Sequence, residues 1–160
     1  MPTRKSLEHL HCSVANTAEL IGDRWTVLIL RDAFLGVRRF DDFQKDLGIA
    51  RNVLTERLTV LVEAEILTTR QYEDRPPRFE YLLTEKGLDL YDVLVAMWRW
   101  GNRWNPPADS FLRTLLHIDC GATTHGVIRC ENCNGDLHPR NTRVQPPLAI
   151  VEERRVVTPA

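Results

Sequence analysis

Apolar residues recur with helical spacing in two adjacent segments within residues 39–65. In the first segment, Phe40, Phe43 and Leu47 are spaced i, i+3 and i+7, which is the pattern of one buried helix face. Gly48 follows them, and a glycine at that place can adopt the left-handed conformation that ends a helix. The pattern therefore predicts two short helices joined by a tight turn.

The second of these helices has a polar face opposite its apolar one. Its predicted buried side consists of Leu54, Leu58, Leu61 and Val62, spaced i, i+4, i+7 and i+8. At about 100° per residue, the polar side chains between them point away from the core. Donors and acceptors near the N-terminus of such a helix can contact base edges in the major groove of DNA. The candidates for base contact are Arg51, Asn52, Thr55, Glu56 and Thr59.

Two β-compatible runs, residues 67–72 and 79–83, follow the second helix. The segment between them contains Pro76 and Pro77, which favour a loop. Helix, turn, helix and hairpin is the order of a winged helix-turn-helix domain. The candidates for contact with phosphates or the minor groove are Arg39, Arg57, Arg75 and Arg78.

Two further helices are predicted before this motif. Ser13 is a suitable N-cap for a first helix that ends at Gly22, with Val14, Ala18 and Ile21 on one side. A second helix is predicted from Asp23 to Gly36, and its apolar residues make it the buried support of the domain.

After the wing, Thr84 is predicted to cap one long helix that runs to about Trp104. Its apolar residues exceed what one small domain covers. The helix could pack on the first helix of the same chain, but we predict that it joins two chains, because a two-fold dimer matches a palindromic operator. Trp98, Trp100 and Trp104 either pack there or stack on an aromatic small-molecule effector. The predicted interface residues are Leu90, Leu94, Met97, Trp98 and Gly101.

Length and composition are those of one domain with an appendage. The chain has 160 residues, 43% apolar residues and a net charge of −1, so any affinity for DNA must come from local arginine clusters. No apolar run approaches the ~20 residues of a membrane span, and the first residues lack a secretory segment. We therefore expect a cytoplasmic, nucleoid-associated protein whose four cysteines are thiols or metal ligands.

Asn105, Pro106 and Pro107 mark a linker to a small β-rich extension. Residues 111–118 are apolar enough for a strand, and the extension is expected to cover 105–145, before a poorly ordered tail at 146–160.

Four potential metal ligands in the extension form two pairs, His117-x2-Cys120 and Cys130-x2-Cys133, nine residues apart. Each pair precedes a turn-forming residue, so the segment resembles two zinc knuckles and predicts one structural Cys3His zinc site. His125 or His138 could replace His117. Two alternatives are a metal-free hairpin and a redox-active CxxC, although no thioredoxin-like context surrounds the latter.

Several ordered blocks resemble the HxlR-type bacterial transcriptional regulators, which are winged helix-turn-helix proteins. The blocks are Cys12-Ser13, IGDRWTVLILRDAFLGVRRFDDF, LTERLTVL and PPRFEYLLTEKG, followed by a tryptophan-containing last helix. The resemblance covers residues 12–104 and implies a mainly α (α+β) fold, homodimers bound to double-stranded DNA, repression and no catalysis. The chain departs from the family where Asp23 replaces a common glycine and where Glu65 replaces another.

Cys12 stands alone before the first predicted helix. In some members of the resembled family a cysteine at this place senses oxidants or electrophiles, and a helix N-terminus can lower a thiol pKa; the alternative is an inert thiol. A second possible function of the whole chain is a winged helix used for protein contacts, with the zinc unit as its docking surface.

Overall fold

The computed structural model describes residues 6–107 and 114–143, and the chain separates into two compact units, Met1–Arg113 and Thr114–Ala160. The first unit is a winged helix-turn-helix domain, which confirms the predicted mainly helical fold with a two-stranded wing. Its elements are a 3-10 turn Glu8–Leu10, α1 Ser13–Ile21, α2 Arg24–Phe34, α3 Phe40–Leu47, α4 Arg51–Glu63, β1 Leu67–Asp74, β2 Pro77–Leu83, α5 Glu85–Leu88 and α6 Tyr91–Trp104.

The core of the first unit lies where α2, α3 and α4 meet the start of β1. Helix α2 contacts α1, α3, α4, α6 and β2, so it is the buried support that the sequence predicts. Of the predicted apolar side of α4, Leu54, Leu58 and Leu61 have almost no exposed surface, and Val62 is half-buried. The other buried large apolar side chains of this core are Ile21, Ile29, Leu30, Phe43, Ile49, Ile66 and Leu67.

Two helix ends follow the sequence prediction. Gly48 ends α3 in the left-handed conformation, with φ 60°, which only a residue without a Cβ adopts at little cost. The Asp23 carboxylate accepts hydrogen bonds from Trp25 N at 2.9 Å and from Thr26 N at 3.3 Å. Asp23 is therefore the N-cap of α2, in place of the glycine common in the resembled family.

The predicted start of α1 is wrong. Cys12 is the N-cap and makes no side-chain capping bond, whereas Ser13 already lies in the helix, because Asn16 N donates to Cys12 O at 3.0 Å. The predicted apolar side is also rotated, since Ala15 and Ile21 are buried while Val14 is exposed.

The wing is a longer hairpin than the sequence predicts. Strands β1 and β2 are antiparallel, with Leu67 opposite Leu83, and only Arg75 and Pro76 remain in the turn. Pro77 is the first residue of β2, a position where the missing N–H is tolerated. Arg78 therefore lies in a strand and not in a loop.

The prediction of one continuous helix from Glu85 is wrong, because the chain turns at Asp89 and Leu90 between α5 and α6. A tertiary contact lies beside this turn: a Cβ on Gly87 would come within 2.2 Å of Ile66 O, so the backbone of α5 packs directly on the residue before β1. The Thr84 hydroxyl donates to Glu65 O at 2.6 Å and accepts from Gly87 N at 3.1 Å. These contacts hold α5 against the start of β1.

The second unit consists of two chain reversals. Strands β3 Leu115–His117 and β4 Ala122–Thr124 form the first hairpin, and a bridge between Arg129 and Asp136 closes the second. Of the strand predicted over 111–118, residues 111–113 lie outside the described residues, and within 114–118 the strand covers Leu115–His117. The sequence places the start of the linker at residue 105, whereas the boundary between the two units follows residue 113. The predicted tail at 146–160 also lies outside the described residues.

No helix among the residues that the structure describes is long and apolar enough to cross a membrane.

Candidate nucleic-acid interface

The outer face of α4 carries polar side chains that are exposed to solvent. It lies opposite Leu54, Leu58 and Leu61, which α4 buries in the core. The face is therefore held by a packed helix, as a surface for base contact requires. The predicted base-contact residues that are exposed on α4 are Arg51, Asn52, Thr55, Glu56 and Thr59.

Contacts at the start of α4 orient two of these side chains. The Arg51 guanidinium lies 4.6 Å from the centre of the Phe40 ring, and its Nη1 is 3.6 Å from Asp41 Oδ1. The Thr55 hydroxyl donates to Arg51 O at 2.9 Å, which leaves its oxygen lone pairs available as acceptors.

Arg57 differs from the other predicted contacts because its side chain turns toward α2. Only 25% of the side chain is exposed, and Nε lies 3.7 Å from the Asp23 carboxylate that caps α2. The same Nε is buried without a hydrogen-bond partner, while Nη2 donates to Glu56 at 3.0 Å. Arg57 thus links α4 to the start of α2, and its contact with phosphate stays a prediction.

Tyr72 contacts two of the arginines that are predicted to bind phosphate, and the sequence pattern did not indicate this role for it. The Arg39 guanidinium lies 4.5 Å from the centre of the Tyr72 ring. Arg78 forms a hydrogen bond with Tyr72 and an ion pair with Glu73 at 3.2 Å, and these two contacts raise the pKa of Arg78 above its usual value. Tyr72 occupies a β-bulge, because Gln71 and Glu73 pair with consecutive residues of β2, and a bulge re-aims a side chain.

Buried contacts fix the wing beside α3. Glu80 is buried and accepts from Arg70 Nε at 2.6 Å. A bridge joins Arg39 to Glu80, and Tyr81 N donates to Arg38 O at 2.7 Å. The base of the wing therefore has a set position relative to the helix-turn-helix, while Arg75 stays exposed in the turn.

Helix α6 has an exposed apolar stripe, which differs from the predicted interface. Leu90 and Leu94 pack against the core of their own chain, and Trp98 and Gly101 are half-buried. Of the predicted interface residues, Met97 has the largest exposure, at 49%. The exposed stripe has spacing i, i+4, i+7 and i+11 and consists of Val93, Met97, Trp100 and Trp104.

The predicted metal ligands of the second unit are close within each pair. His117 Nδ1 lies 3.2 Å from Cys120 Sγ. Backbone N–H groups of Cys133 and Asn132 donate to Cys130 and lower the pKa of its thiol. Within residues 6–107 and 114–143, however, no three His, Cys, Asp or Glu side chains converge on one point. Cys12, the predicted oxidant sensor, is exposed at the N-cap of α1.

Comparison with known proteins agrees with this geometry. The family model described as HxlR-like helix-turn-helix matches residues 20–109. A Mycobacterium tuberculosis protein named as an uncharacterised HTH-type transcriptional regulator is 40% identical over 134 residues, which are 84% of this chain and 85% of that protein. Because the first unit ends at Arg113, an alignment of 134 residues extends into the second unit.

Two solved structures are also similar. The crystal structure of PA1607, a candidate transcription factor, has a TM-score of 0.78 and 36% identity, covering 89% of this chain and 100% of that one. The redox regulator HypR in its reduced form has a TM-score of 0.54 and 31% identity, covering 58% of this chain and 95% of that one. Since the matched region contains both α4 and the wing, the chain belongs to the HxlR-like helix-turn-helix family and is a DNA-binding transcriptional regulator rather than an enzyme.

Proposed function

We propose that the chain represses transcription by binding, as a homodimer, to a palindromic operator. The observation that carries this proposal is the exposed polar face of α4, together with Arg39 at the N-cap of α3 and the arginines of the wing. Asn52 and Thr55 offer donors and acceptors for base edges, while Arg39, Arg75 and Arg78 reach toward the flanking backbone and minor groove. A dimer bound across a promoter would exclude RNA polymerase from it.

The arginines of this surface are held by carboxylates of the same unit, Arg51 by Asp41 and Arg78 by Glu73. These pairs are exposed, so each contributes little to folding stability. Phosphates can therefore replace the carboxylates at small cost. This arrangement fits a chain with net charge −1 that binds DNA through local contacts and not through an overall positive field.

The exposed stripe of α6 supports the dimer. Its members project from one side of the helix in the spacing of a helix–helix contact, and two of them are tryptophans, which are enriched in protein interfaces. A second copy of α6 would cover the stripe, and a two-fold axis would place two α4 helices against two half-sites.

DNA binding is tested by fluorescence anisotropy with the DNA upstream of the chain's own gene and with random DNA. Asn52→Ala should weaken specific binding by about 1 to 3 kcal/mol and leave random DNA almost unchanged. Arg78→Ala should weaken both. Asn16→Ala, an exposed asparagine of α1, is the matched control. If Asn52→Ala and Arg78→Ala act alike, the division into base and phosphate contacts is wrong.

The oligomeric state is tested by light scattering at micromolar concentration. Met97→Asp should dissociate the dimer, because the carboxylate would be desolvated in the interface. Leu35→Asp changes another exposed apolar residue outside the stripe and should leave the dimer intact. If the unmodified protein is monomeric, the proposals of a dimer and of a palindromic operator are both wrong.

The direction of control is tested separately, with a reporter gene fused to the bound promoter, whose expression should fall when the protein is present.

We also propose that oxidation of Cys12 modulates DNA affinity. Cys12 is an exposed thiol at the N-terminus of α1, where oxidants have access to it, and the similar protein HypR is named a redox regulator. Diamide should weaken operator binding by the unmodified protein and spare Cys12→Ser. Equal loss in both proteins would assign the effect to the cysteines of the second unit.

A further inference from the structure

The two chain reversals of the second unit have the same backbone geometry. In the first, Gly121 N donates to His117 O at 2.8 Å, and in the second, Asn134 N donates to Cys130 O at 2.8 Å. The residue after each pair is left-handed, with φ 67° for Gly121 and φ 57° for Asn134. Each turn therefore presents its first and fourth residues, the two potential ligands, in the same manner.

The strands that enter and leave the two turns also correspond. His117 pairs with Ala122 across the first hairpin, and Cys130 N donates to Gly135 O at 2.8 Å across the second. In both cases the first ligand faces the residue five positions later. The histidine of the first pair thus occupies the place that a cysteine has in the second.

The first turn orients a histidine. Zinc bonds of about 2.3 Å to sulfur and about 2.0 Å to nitrogen, at a tetrahedral angle, separate the two ligand atoms by about 3.5 Å. His117 Nδ1 and Cys120 Sγ are 3.2 Å apart, close to that separation. The other ring nitrogen lies 3.6 Å from Asp119 Oδ2, and a carboxylate at that place is the usual partner of a metal-bound histidine.

The alternative histidine His138 is less suitable, because its Nδ1 already accepts a hydrogen bond from Arg140 N at 3.2 Å.

The second unit also lacks another source of stability. None of its described side chains, in 114–143, is buried, and Ile118 is 88% exposed. A unit of this size without a core generally needs disulfides or a metal, and its cysteines are free thiols.

We propose that His117, Cys120, Cys130 and Cys133 bind one structural Zn²⁺, which draws the two turns together around a tetrahedral site. Because the pairs do not share one point in the described structure, metal binding and closure of the unit are one event. The three thiols release their protons to solvent and the histidine binds as the neutral ring. All four positions around the metal are then filled by protein, so the site supports folding and offers no place for a substrate.

The first test is the metal content of the full chain, purified without a tag and under reducing conditions. Plasma emission spectrometry should find about one zinc per chain, and Cys120→Ser and Cys133→Ser should each lose it. Cys12→Ser is the matched thiol control and should keep it. A protein without zinc whose four thiols all react with a thiol reagent would overturn the proposal.

The second test identifies the ligands without relying on loss of folding. Co²⁺ should replace zinc and give the sulfur-to-cobalt charge-transfer band and the visible bands of a tetrahedral site with three thiolates. His117→Ala should shift these bands, whereas His125→Ala and His138→Ala should not. Asp119→Asn should keep one metal per chain and weaken its affinity by about 10- to 100-fold. Zinc that survives Cys120→Ser would mean that the Cys130–Cys133 pair binds alone, and the four-ligand site would be wrong.

Discussion

In the first unit Phe43, Leu54 and Leu61 have no exposed surface, whereas in the second no described side chain is buried. The first unit therefore gains its stability from apolar area removed from water. The second orders its backbone in turns that hold potential ligands, so on the zinc proposal its stability depends on the free metal concentration. On that proposal, the two units of one chain respond to different conditions.

Metal removal gives the largest expected difference between the units. Structural zinc contributes about 10 to 16 kcal/mol to small domains, so a strong chelator should open 114–143 to proteases. The four tryptophans Trp25, Trp98, Trp100 and Trp104 all lie in the first unit, and their fluorescence should not change. If chelation leaves the second unit resistant to proteases, its hairpins and apolar contacts are sufficient without metal.

Truncating one apolar side chain in each unit should give the next largest difference in stability between the units. Phe43→Ala leaves a cavity in the core and should lower the free energy of unfolding of the first unit by about 3 to 5 kcal/mol. Ile118→Ala removes an exposed side chain and should change stability by no more than about 0.5 kcal/mol. Denaturant unfolding followed by tryptophan fluorescence measures the first, and protease resistance of the zinc-bound chain measures the second. A large effect of Ile118→Ala would reveal a covered apolar surface in the second unit.

The features that the sequence predicts correctly are those encoded by local spacing. Leu54, Leu58 and Leu61 recur with the period of a helix, and that period determines which side is buried. The left-handed end at Gly48 is likewise a local property, because φ depends on the residue itself.

The features that the sequence misses depend on contacts between distant residues. The turn between α5 and α6 lies beside the close packing of Gly87 on Ile66 O. The side chain of Arg57 points inward, toward the Asp23 carboxylate that caps another helix. The position of Tyr72 depends on a bulge in the pairing of β1 with β2, which no single strand reveals.

Replacing one left-handed glycine in each unit by alanine tests whether the same backbone strain affects the two units differently. Gly48 and Gly121 are both left-handed, and a Cβ at either would meet no atom within 4 Å, so substitution by alanine adds conformational strain without a steric clash. Gly48→Ala should lower the unfolding free energy of the first unit by about 1 kcal/mol, which is about 4 to 8 °C in melting temperature.

Gly121→Ala imposes the same strain on the second unit, where folding and metal binding are coupled on the zinc proposal. Its effect should therefore be a roughly fivefold weaker zinc affinity, measured by competition with a chelating dye, and no change in the melting of the first unit. A change in that melting temperature would mean that the units are not independent.

The smallest expected effect is a gain in stability from Glu65→Gly. Glu65 follows α4 and is left-handed, with φ 57°, which explains the glycine that the family commonly has there. The conformation is held because Glu65 N donates to Val62 O at 3.0 Å and Glu65 O accepts from the Thr84 hydroxyl at 2.6 Å. Glycine removes a strain of about 1 to 2 kcal/mol but adds about 0.4 to 1 kcal/mol of entropy to the unfolded chain. The net gain should be about 0.5 to 1 kcal/mol, measured by thermal unfolding with tryptophan fluorescence. Glu65→Ala removes the same carboxylate but keeps the Cβ, so it should not reproduce the gain. Equal melting temperatures of the glycine and alanine variants would show that the strain relieved by glycine is no larger than the entropy it adds to the unfolded chain.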